Sequence, residues 1–513
     1  MSNNTLLVDG LINKFHSKLA KQLADDENSE LRLIDPNENV EISAHYGATH
    51  LAAALILLGK EYGDMGALKV GKKLLVGILR RWPQENVLPA YHYDFNNFAF
   101  VICFDNLGEG DSNLKTSIKE IVLKSPDSNH DTINWLPMRA FVNSKRYQWT
   151  NDAKYLKTIN RCQKLINKAT NNDGGIEDRL PKGVSFNLQY DISTLATLVF
   201  ANSIFPNYDF KRGLNFLLKN VAPDGDINYQ GRGCNQIFAW GPWIYLLATF
   251  GLNNDIERAL GFLNPLVDKM LDNNSMMLNA WDGSEKYLWW DYHYASVYTA
   301  HFLLWLILAK RNYHKLNFEV KDNNCIGDST NLKIYKSQDY YVSVFEGRKE
   351  YLAERGPSVS LIWIKKYGNI VKGCFGPWRG LFGNKNTFED VVLLNYCGLI
   401  KVNKRIESGL ISRIIKRIRP LGDTKVSQEK TPNFCQIQVG ENNETLKITW
   451  YNKDNNLSYF NLPCVRDSLR LKLTVDGVEF PLHNIAKIRN QYDWVNIIQS
   501  KTINGKKWTL TIF

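Results

Sequence analysis

The sequence predicts an α+β protein in which a helical domain precedes an antiparallel β domain. The chain has 513 residues, more than a single hydrophobic core usually serves. Apolar residues recur at helical spacing up to about residue 315, and alternating or β-branched segments follow. Because the strands form one block after the helices, a βαβ arrangement such as a Rossmann sheet is excluded. We therefore predict a helical domain over 1–315 and an antiparallel β-sandwich or multi-sheet domain over 316–513.

The first part of the chain reads as helices joined by short polar loops. Helical spacing of apolar residues predicts eleven helices, over 5–23, 43–62, 66–81, 113–124, 133–145, 151–168, 190–204, 208–219, 234–251, 254–272 and 291–312. Asp-Gly steps mark turns in NNDGG (171–175), APDGD (222–226) and WDGSE (281–285). These loops indicate a run of helical hairpins, without the strict repeat of an ordinary solenoid.

The second part of the chain has the sequence pattern of strands and hairpins. DYYVSVFEG (339–347), TLKITWY (445–451) and KWTLTIF (507–513) alternate or are rich in β-branched residues. VDGV (475–478) and INGK (503–506) predict hairpin turns. The basic segment SRIIKRIRP (412–420) has two interpretations: a solvated helix or loop on a sheet face, or a surface for an acidic polymer or membrane.

Composition narrows the possible partners. The formal charge of +11 favours polyanions, and without a zinc-finger, RNP-like or basic-tail signature we do not expect nucleic acid. An aromatic share of 12% fits either a large core or a sugar-binding surface. Eight scattered cysteines without a CxxC pair favour reduced thiols. Without a signal-peptide pattern or a membrane-length apolar run, we expect a cytoplasmic protein without an integral membrane segment.

No P-loop, dinucleotide, zinc-protease or serine-hydrolase motif stands out, so the candidate site residues are polar groups near helix starts. In HDTINWLPMRAFV (130–142), Asn134 and Trp135 open an apolar helix, and His130 comes just before it. The amide of Asn134 can donate to a substrate carboxylate and stabilise the charge that develops there. The alternative is that Asn134 is solvated in a capped first turn.

A second candidate segment, DGGIEDRLPKGVSFNLQYDISTLATL (173–198), brings Tyr190 to the start of a helix. Tyr190 and Thr194 share a face, and a tyrosine there can be a general acid or base if cations lower its pKa. The alternative is a half-buried structural tyrosine. In NYQGRGCNQIFAWGPW (228–243), Arg232 and Gln236 lie near a helix N-terminus, where an anion is favoured.

A third segment, AWDGSEKYLWWDYHYASVYTAHF (280–302), contains Trp281 and His293, with His301 eight residues further on. A histidine here can act as a base near neutral pH, and a structural histidine is the alternative.

Together these features resemble the heparinase II/III-like and alginate-lyase-like polysaccharide lyases. That resemblance implies an N-terminal incomplete (α/α) toroid followed by an antiparallel β-sandwich. It rests on the order of the two blocks and on Tyr190 standing 56 residues after Asn134, a spacing similar to that of the family's catalytic Asn and Tyr. Trp135 occupies the place of the family's usual His, and His293 is the candidate for its later His.

The resemblance implies β-elimination at a uronic acid in an acidic polysaccharide or oligosaccharide. Asn134, Arg232 and Gln236 would neutralise the carboxylate, while Tyr190 and His293 would serve as base and acid. His130, Trp135 and Trp281 would bind substrate. No metal or cofactor is required by this scheme, and the oligomeric state is left open.

Three alternatives remain at the level of sequence. A glycoside hydrolase would need two carboxylates, for which the candidates are Asp94, Asp131, Asp191 and Asp282. A uronate C5-epimerase would share the proton abstraction but return the proton. A non-catalytic toroid would bind glycans during polysaccharide biosynthesis.

Overall fold

A computed structural model of the chain describes residues 3–26, 29–85, 92–180, 186–230, 236–272, 278, 294–313, 316, 332–346, 349–350, 353–354, 358–372, 396–406, 426–433, 435–442, 445–467, 469–489 and 494–513. The chain divides into two compact units, Met1–Thr330 and Asn331–Phe513. The domain boundary at residue 315 stays a prediction, because residues 317–331 lie outside the described part of the chain.

The first unit is helical. Its described residues form α1 (Asn3–Ala20), α2 (Gly47–Tyr62), α3 (Met65–Glu85), α4 (Tyr93–Asn106), α5 (Ser112–Lys124), α6 (Leu136–Thr150), α7 (Ala153–Ala169), α8 (Leu188–Phe200), α9 (Phe210–Lys219), α10 (Trp240–Thr249), α11 (Asn253–Asp272) and α12 (Ala295–Arg311). Short 3-10 helices span Glu109–Asp111, Ile133–Trp135 and Asn202–Ile204. A small hairpin of β1 (Leu23–Asp25) and β2 (Leu31–Leu33) follows α1. Of these helices, α4 was not predicted.

The even-numbered helices form a closed inner ring. α2, α4, α6, α8, α10 and α12 contact one another in that order, and α12 contacts α2. Each odd-numbered helix packs outside against an inner helix, for example α3 on α2, α7 on α6 and α11 on α10. The described helices therefore form a toroid, and the prediction that it is incomplete is wrong, since the last inner helix reaches the first.

Burial explains which helices are inside. In α12 every residue from Ala295 to Ala309 is buried, as expected for a helix enclosed on all sides. The outer helix α7 instead buries one stripe, with Tyr155, Ile159, Cys162 and Ile166 at helical spacing. The inner helices therefore carry the core of the toroid, while the outer ones shield it from water.

Two Asp-Gly turns fix the outer helices to the loops before the inner ones. Gly174 and Gly225 have φ of 101° and 95°, which an L side chain rarely adopts. An added Cβ would lie 2.5 Å from the carbonyl oxygen of Arg212 in α9 at the first glycine, and 2.7 Å from that of Arg258 in α11 at the second. Each turn therefore lies directly against the backbone of the next outer helix.

The second unit consists of antiparallel strands. They are β3 (Leu332–Lys336), β4 (Tyr340–Phe345), β5 (Lys349–Glu350), β6 (Ala353–Glu354), β7 (Ser358–Ile364), β8 (Gly368–Lys372), β9 (Gly398–Ile406), β10 (Val426–Pro432), β11 (Gln436–Asn442), β12 (Thr445–Tyr451), β13 (Leu457–Cys464), β14 (Leu471–Val475), β15 (Val478–Phe480), β16 (Leu482–Arg489), β17 (Trp494–Ser500), β18 (Ile503–Asn504) and β19 (Lys507–Ile512).

These strands form three larger sheets around a shared apolar core. The strand orders are β3-β4-β7-β8, β11-β12-β19-β14-β15 and β10-β9-β13-β17-β16, with β18 beside β13. Ile362, Phe460 and Trp508, one from each sheet, belong to the same buried cluster. The predicted antiparallel class is confirmed, and the sheets pack over a common core as in a β-sandwich.

Of the two predicted hairpin turns, one is confirmed. Asp476 and Gly477 both have positive φ, 48° and 88°, as a two-residue type I′ turn requires between β14 and β15. INGK does not join paired strands, because β18 pairs with β13 whereas β19 pairs with β12 and β14. The basic segment 412–420 lies outside the described residues.

Candidate functional site

All six inner helices begin at the same end of the toroid, and an aromatic or histidine side chain lies at each start. We call this set the mouth; its members are Tyr46, His92, Trp135, Tyr190, Phe238 and Tyr294. Six helix N-termini at one end direct their positive dipole ends toward it, which favours an anionic ligand there.

Ring contacts connect the members of the mouth across neighbouring helices. The Tyr46 and His92 centroids are 5.7 Å apart, as are those of His92 and Trp135. Tyr190 lies 6.0 Å from Phe238. His45 links two further members, at 4.7 Å from Tyr294 and 6.0 Å from Tyr46. These contacts join Tyr294, His45, Tyr46, His92 and Trp135 into one row of rings, and Tyr190 and Phe238 form a second group.

Asn134 lies in the 3-10 turn that leads into α6. Its residue is 7% exposed, and its buried Oδ1 has no hydrogen-bond partner among the described residues. Leaving such an atom unsatisfied is costly, so this oxygen is suited to a ligand group that donates a hydrogen bond, such as a hydroxyl. The adjacent Trp135 packs edge-on against Phe95 at 5.7 Å and near His130 at 6.2 Å.

A buried arginine holds the loop that precedes this turn. Arg139 binds both oxygens of Asp94, and its Nη2 donates to the backbone oxygen of His130 at 2.6 Å. Its Nη1 donates to Asp131 at 3.0 Å, and Arg161 also binds that carboxylate. Asp94 raises the pKa of Arg139, which stays charged despite burial. The charge network thus fixes residues 130–135 against α4 and α6.

Tyr190 is brought to the same end as Asn134. Asn187 caps α8 by accepting from the backbone N–H groups of Gln189 and Tyr190 at 3.0 and 3.3 Å. α8 contacts the turn Ile133–Trp135, and Tyr190 itself is 5% exposed. The structure therefore places two of the three predicted catalytic residues on adjacent elements at the mouth.

Gln236 is fully buried next to the loop that supports α8. Its backbone oxygen accepts from Nδ2 of Asn228 at 3.0 Å. The side chain of Gln189 reaches the carbonyl of the same Asn228 at 3.4 Å. Arg232, Trp281 and His293 lie outside the described residues, so their roles stay predictions.

Two histidines were missed at the level of sequence, His92 at the mouth and His50 below it, whereas His301 was named without its partner. Burial lowers the pKa of His50 and of His92 to about 4, opposed by hydrogen bonds of His50 to Tyr46 and of His92 to Ala44. Burial, followed by repulsion from His50, lowers the pKa of His301 well below its ordinary value. These imidazoles are neutral at neutral pH. HYGATH (45–50) and YHYD (91–94) could have revealed them, since each sets histidine at the start of an apolar run.

The described residues contain no cluster of three or more His, Cys, Asp or Glu side chains with the geometry to hold a metal ion. Among them, no helix has both the length and the apolar character that crossing a bilayer requires.

Comparison with known proteins gives only distant structural likeness. No family model matches the sequence, and no curated protein matches it. The Lin0763 protein from Listeria innocua superposes with a TM-score of 0.41 at 14% identity, over 61% of this chain and 99% of its own. The GH76A α-1,6-mannanase from Salegentibacter sp. HEL1_6 gives 0.39 at 11% identity, over 60% and 99%. Cellobiose 2-epimerase from Bacillus thermoamylovorans gives 0.39 at 12% identity, over 58% and 98%. At these TM-scores no activity is carried over to this chain.

Proposed function

We propose that the toroid binds an acidic glycan at its mouth and cleaves it by β-elimination at a uronic acid. The observation that supports the proposal is that Asn134 and Tyr190 lie on contacting elements at the mouth, beside aromatic rings at the starts of the inner helices. Helix N-termini favour the substrate carboxylate, aromatic rings offer faces for sugars, and a tyrosine can move a proton.

In the proposed step, a base removes the proton at C5 of the uronate. The electron pair of that C–H bond forms the C4–C5 double bond, and the C4–O bond breaks. The leaving oxygen takes a proton from the acid, so that an unsaturated uronate and a shortened chain result. Tyr190 and His293 share the two proton transfers. Asn134, with Arg232 and Gln236, stabilises the negative charge that builds up on the carboxylate.

The ion pairs of Arg139 with Asp94 and Asp131 argue against the alternative that the protein is a glycoside hydrolase. Asp94 and Asp131 are both bound to Arg139, and Asp94 is buried. Carboxylates engaged by one arginine are less free to act as the acid and base that hydrolysis requires. Asp191 is also buried, and Asp282 lies outside the described residues.

The test is incubation of the full-length protein with uronate oligosaccharides, followed by ultraviolet absorbance and mass analysis of products. We expect a product that absorbs as a conjugated unsaturated uronate. Tyr190→Phe should abolish it while the protein still binds glycan, since the change removes only the hydroxyl. Tyr155→Phe, on the outer helix α7, is the matched control and should retain full activity.

The alternatives give different results in the same assay. New reducing ends without ultraviolet absorbance would indicate a hydrolase, and exchange of the C5 hydrogen without cleavage an epimerase. Binding without reaction would indicate a glycan-binding protein. If acidic oligosaccharides neither bind at low salt nor react, the proposed function is refuted.

A further inference from the structure

Below the mouth, two buried histidines face each other across the point where the inner ring closes. His50 lies on α2 and His301 on α12, and their ring centroids are 5.1 Å apart. Both residues are almost entirely buried. Tyr46 covers them from the mouth, at 4.8 Å from His50 and 5.8 Å from His301. We call the two rings the imidazole pair.

Three nitrogens of this pair are unsatisfied. His50 Nε2 and both ring nitrogens of His301 are buried and have no hydrogen-bond partner among the described residues. Buried polar atoms in native proteins nearly always have a partner, either protein or bound molecule. Three such atoms on two neighbouring rings therefore indicate a ligand that the pair binds.

Hydrogen bonding determines what the pair offers to this ligand. His50 Nδ1 lies 2.9 Å from the carbonyl oxygen of Tyr46. Because a carbonyl only accepts, Nδ1 carries the proton and Nε2 presents a lone pair. His301 is kept neutral by burial, so one of its nitrogens donates and the other accepts. The pair thus combines a fixed acceptor on His50 with a donor on His301.

We propose that the imidazole pair binds a hydroxyl group, either of an internal water or of a sugar ring. A hydroxyl donates its hydrogen to His50 Nε2 and accepts from the N–H of His301. A carboxylate or carbonyl has no hydrogen to donate to His50 Nε2, and an ammonium has no lone pair to accept from the His301 N–H; a hydroxyl serves both and leaves only the second His301 nitrogen outside this contact. If the hydroxyl belongs to a sugar, the inference rests on the proposed function, since the pair then lies at the deepest point of the glycan site. If the hydroxyl belongs to an internal water, the inference is independent of that function.

A crystal structure of the unliganded full-length protein tests the proposal directly. We expect an oxygen within about 2.7–3.2 Å of His50 Nε2 and of one His301 nitrogen. A second structure, with a uronate oligosaccharide bound, distinguishes the two sources. A sugar oxygen at this position identifies a deep subsite, and a retained water identifies an internal solvent site. A direct hydrogen bond between the imidazoles, or no density beside them, would overturn the proposal.

Thermal unfolding gives an independent measurement. If a hydroxyl bridges the rings, His50→Phe and His301→Phe each lower the Tm, and the double variant lowers it by less than the sum of the two. His50→Gln keeps a polar group near the position of Nε2 and should stay close to the wild type. If both single Phe variants keep or raise the Tm, the nitrogens bind nothing, because replacing unsatisfied polar atoms with apolar ones is neutral or stabilising.

The two proposals fail separately. The unliganded crystal structure and the Tm series need no glycan, so they test the imidazole pair even if the protein is not a lyase. Conversely, loss of unsaturated product in Tyr190→Phe tests the proposed reaction without involving either histidine.

Discussion

Arg139 shows how a single residue joins separate parts of the helical unit. Its guanidinium contacts Asp94 on α4, Asp131 in the loop and the backbone of His130. Arg139 and Asp94 have side chains that are only 4% and 2% exposed. A buried ion pair contributes little net stability, but the loss of one partner leaves a buried charge without compensation.

We therefore expect Arg139→Met to lower the free energy of unfolding by about 3–5 kcal/mol. The urea-induced unfolding transition of the helical unit measures this loss. Arg161→Ala is the matched control: it removes another cation from Asp131, but its side chain is 63% exposed. Its cost should stay below about 1 kcal/mol. Equal losses in the two variants would show that burial of Arg139 does not decide the effect.

The buried histidines give the helical unit a defined acid sensitivity. Burial lowers the pKa of His50 from 6.5 to about 4. Between pH 6.5 and pH 4, His50 is therefore protonated in the unfolded state but still neutral in the native state. The free energy of unfolding therefore has its full value above pH 6.5. As the pH falls from 6.5 toward 4, the titration of His50 lowers this free energy by up to about 3 kcal/mol.

His50→Gln removes this titration, so we expect its unfolding free energy to decline less between pH 6.5 and 4 than that of the wild type. Chemical denaturation at stepped pH measures the difference. A wild-type slope in His50→Gln would contradict the assignment.

At the scale of elements, the Asp-Gly turns and the inner helices differ in how well sequence reveals them. The turns were predicted from Asp-Gly steps, and Gly174 and Gly225 indeed occupy left-handed backbone. Helix α4 was missed because YDFNNFAFVICFDN is buried on nearly every side. A helix enclosed by neighbours has no polar face, so the apolar period that marks outer helices is absent.

We expect Gly174→Ala to lower the free energy of unfolding by about 2 kcal/mol or more, because the added Cβ meets backbone and φ is unfavourable. Gly261 in α11 is the control, since nothing lies within 4 Å of an added Cβ there. Gly261→Ala should be neutral or stabilising by up to about 1 kcal/mol. Denaturant unfolding of both variants measures the contrast, and a neutral Gly174→Ala would refute the close approach.

The same limit applies to the candidate site. The position of Asn134 and Tyr190 at helix starts could be predicted, because each begins a recognisable helix in a polar loop. His50 and His301 could not be paired, since they are 251 residues apart in the chain and meet only because α12 contacts α2. INGK was misjudged for a related reason: local turn chemistry does not determine which sheet a strand joins.

At the scale of the whole molecule, the net charge of +11 predicts that the affinity for an acidic partner depends on salt. Long-range attraction of an acidic glycan weakens as the Debye length falls from about 30 Å at 0.01 M salt to about 8 Å at 0.15 M. We expect affinity for a polyuronate to fall across this range, as measured by calorimetry, while a neutral glucan of equal length should show no such trend. Binding that is independent of salt would argue against an acidic ligand.

The closing of the inner ring also bears on how the protein is made. Asp35, before α2, accepts from the backbone N–H and the hydroxyl of Ser296 in α12, at 2.8 and 2.7 Å. These contacts cannot form until almost the entire helical unit has left the ribosome. Contacts so distant in sequence slow folding and leave apolar surface exposed during synthesis. The inner ring therefore cannot close until α12 has been synthesised. We expect nascent chains that end before α12 to depend on chaperones.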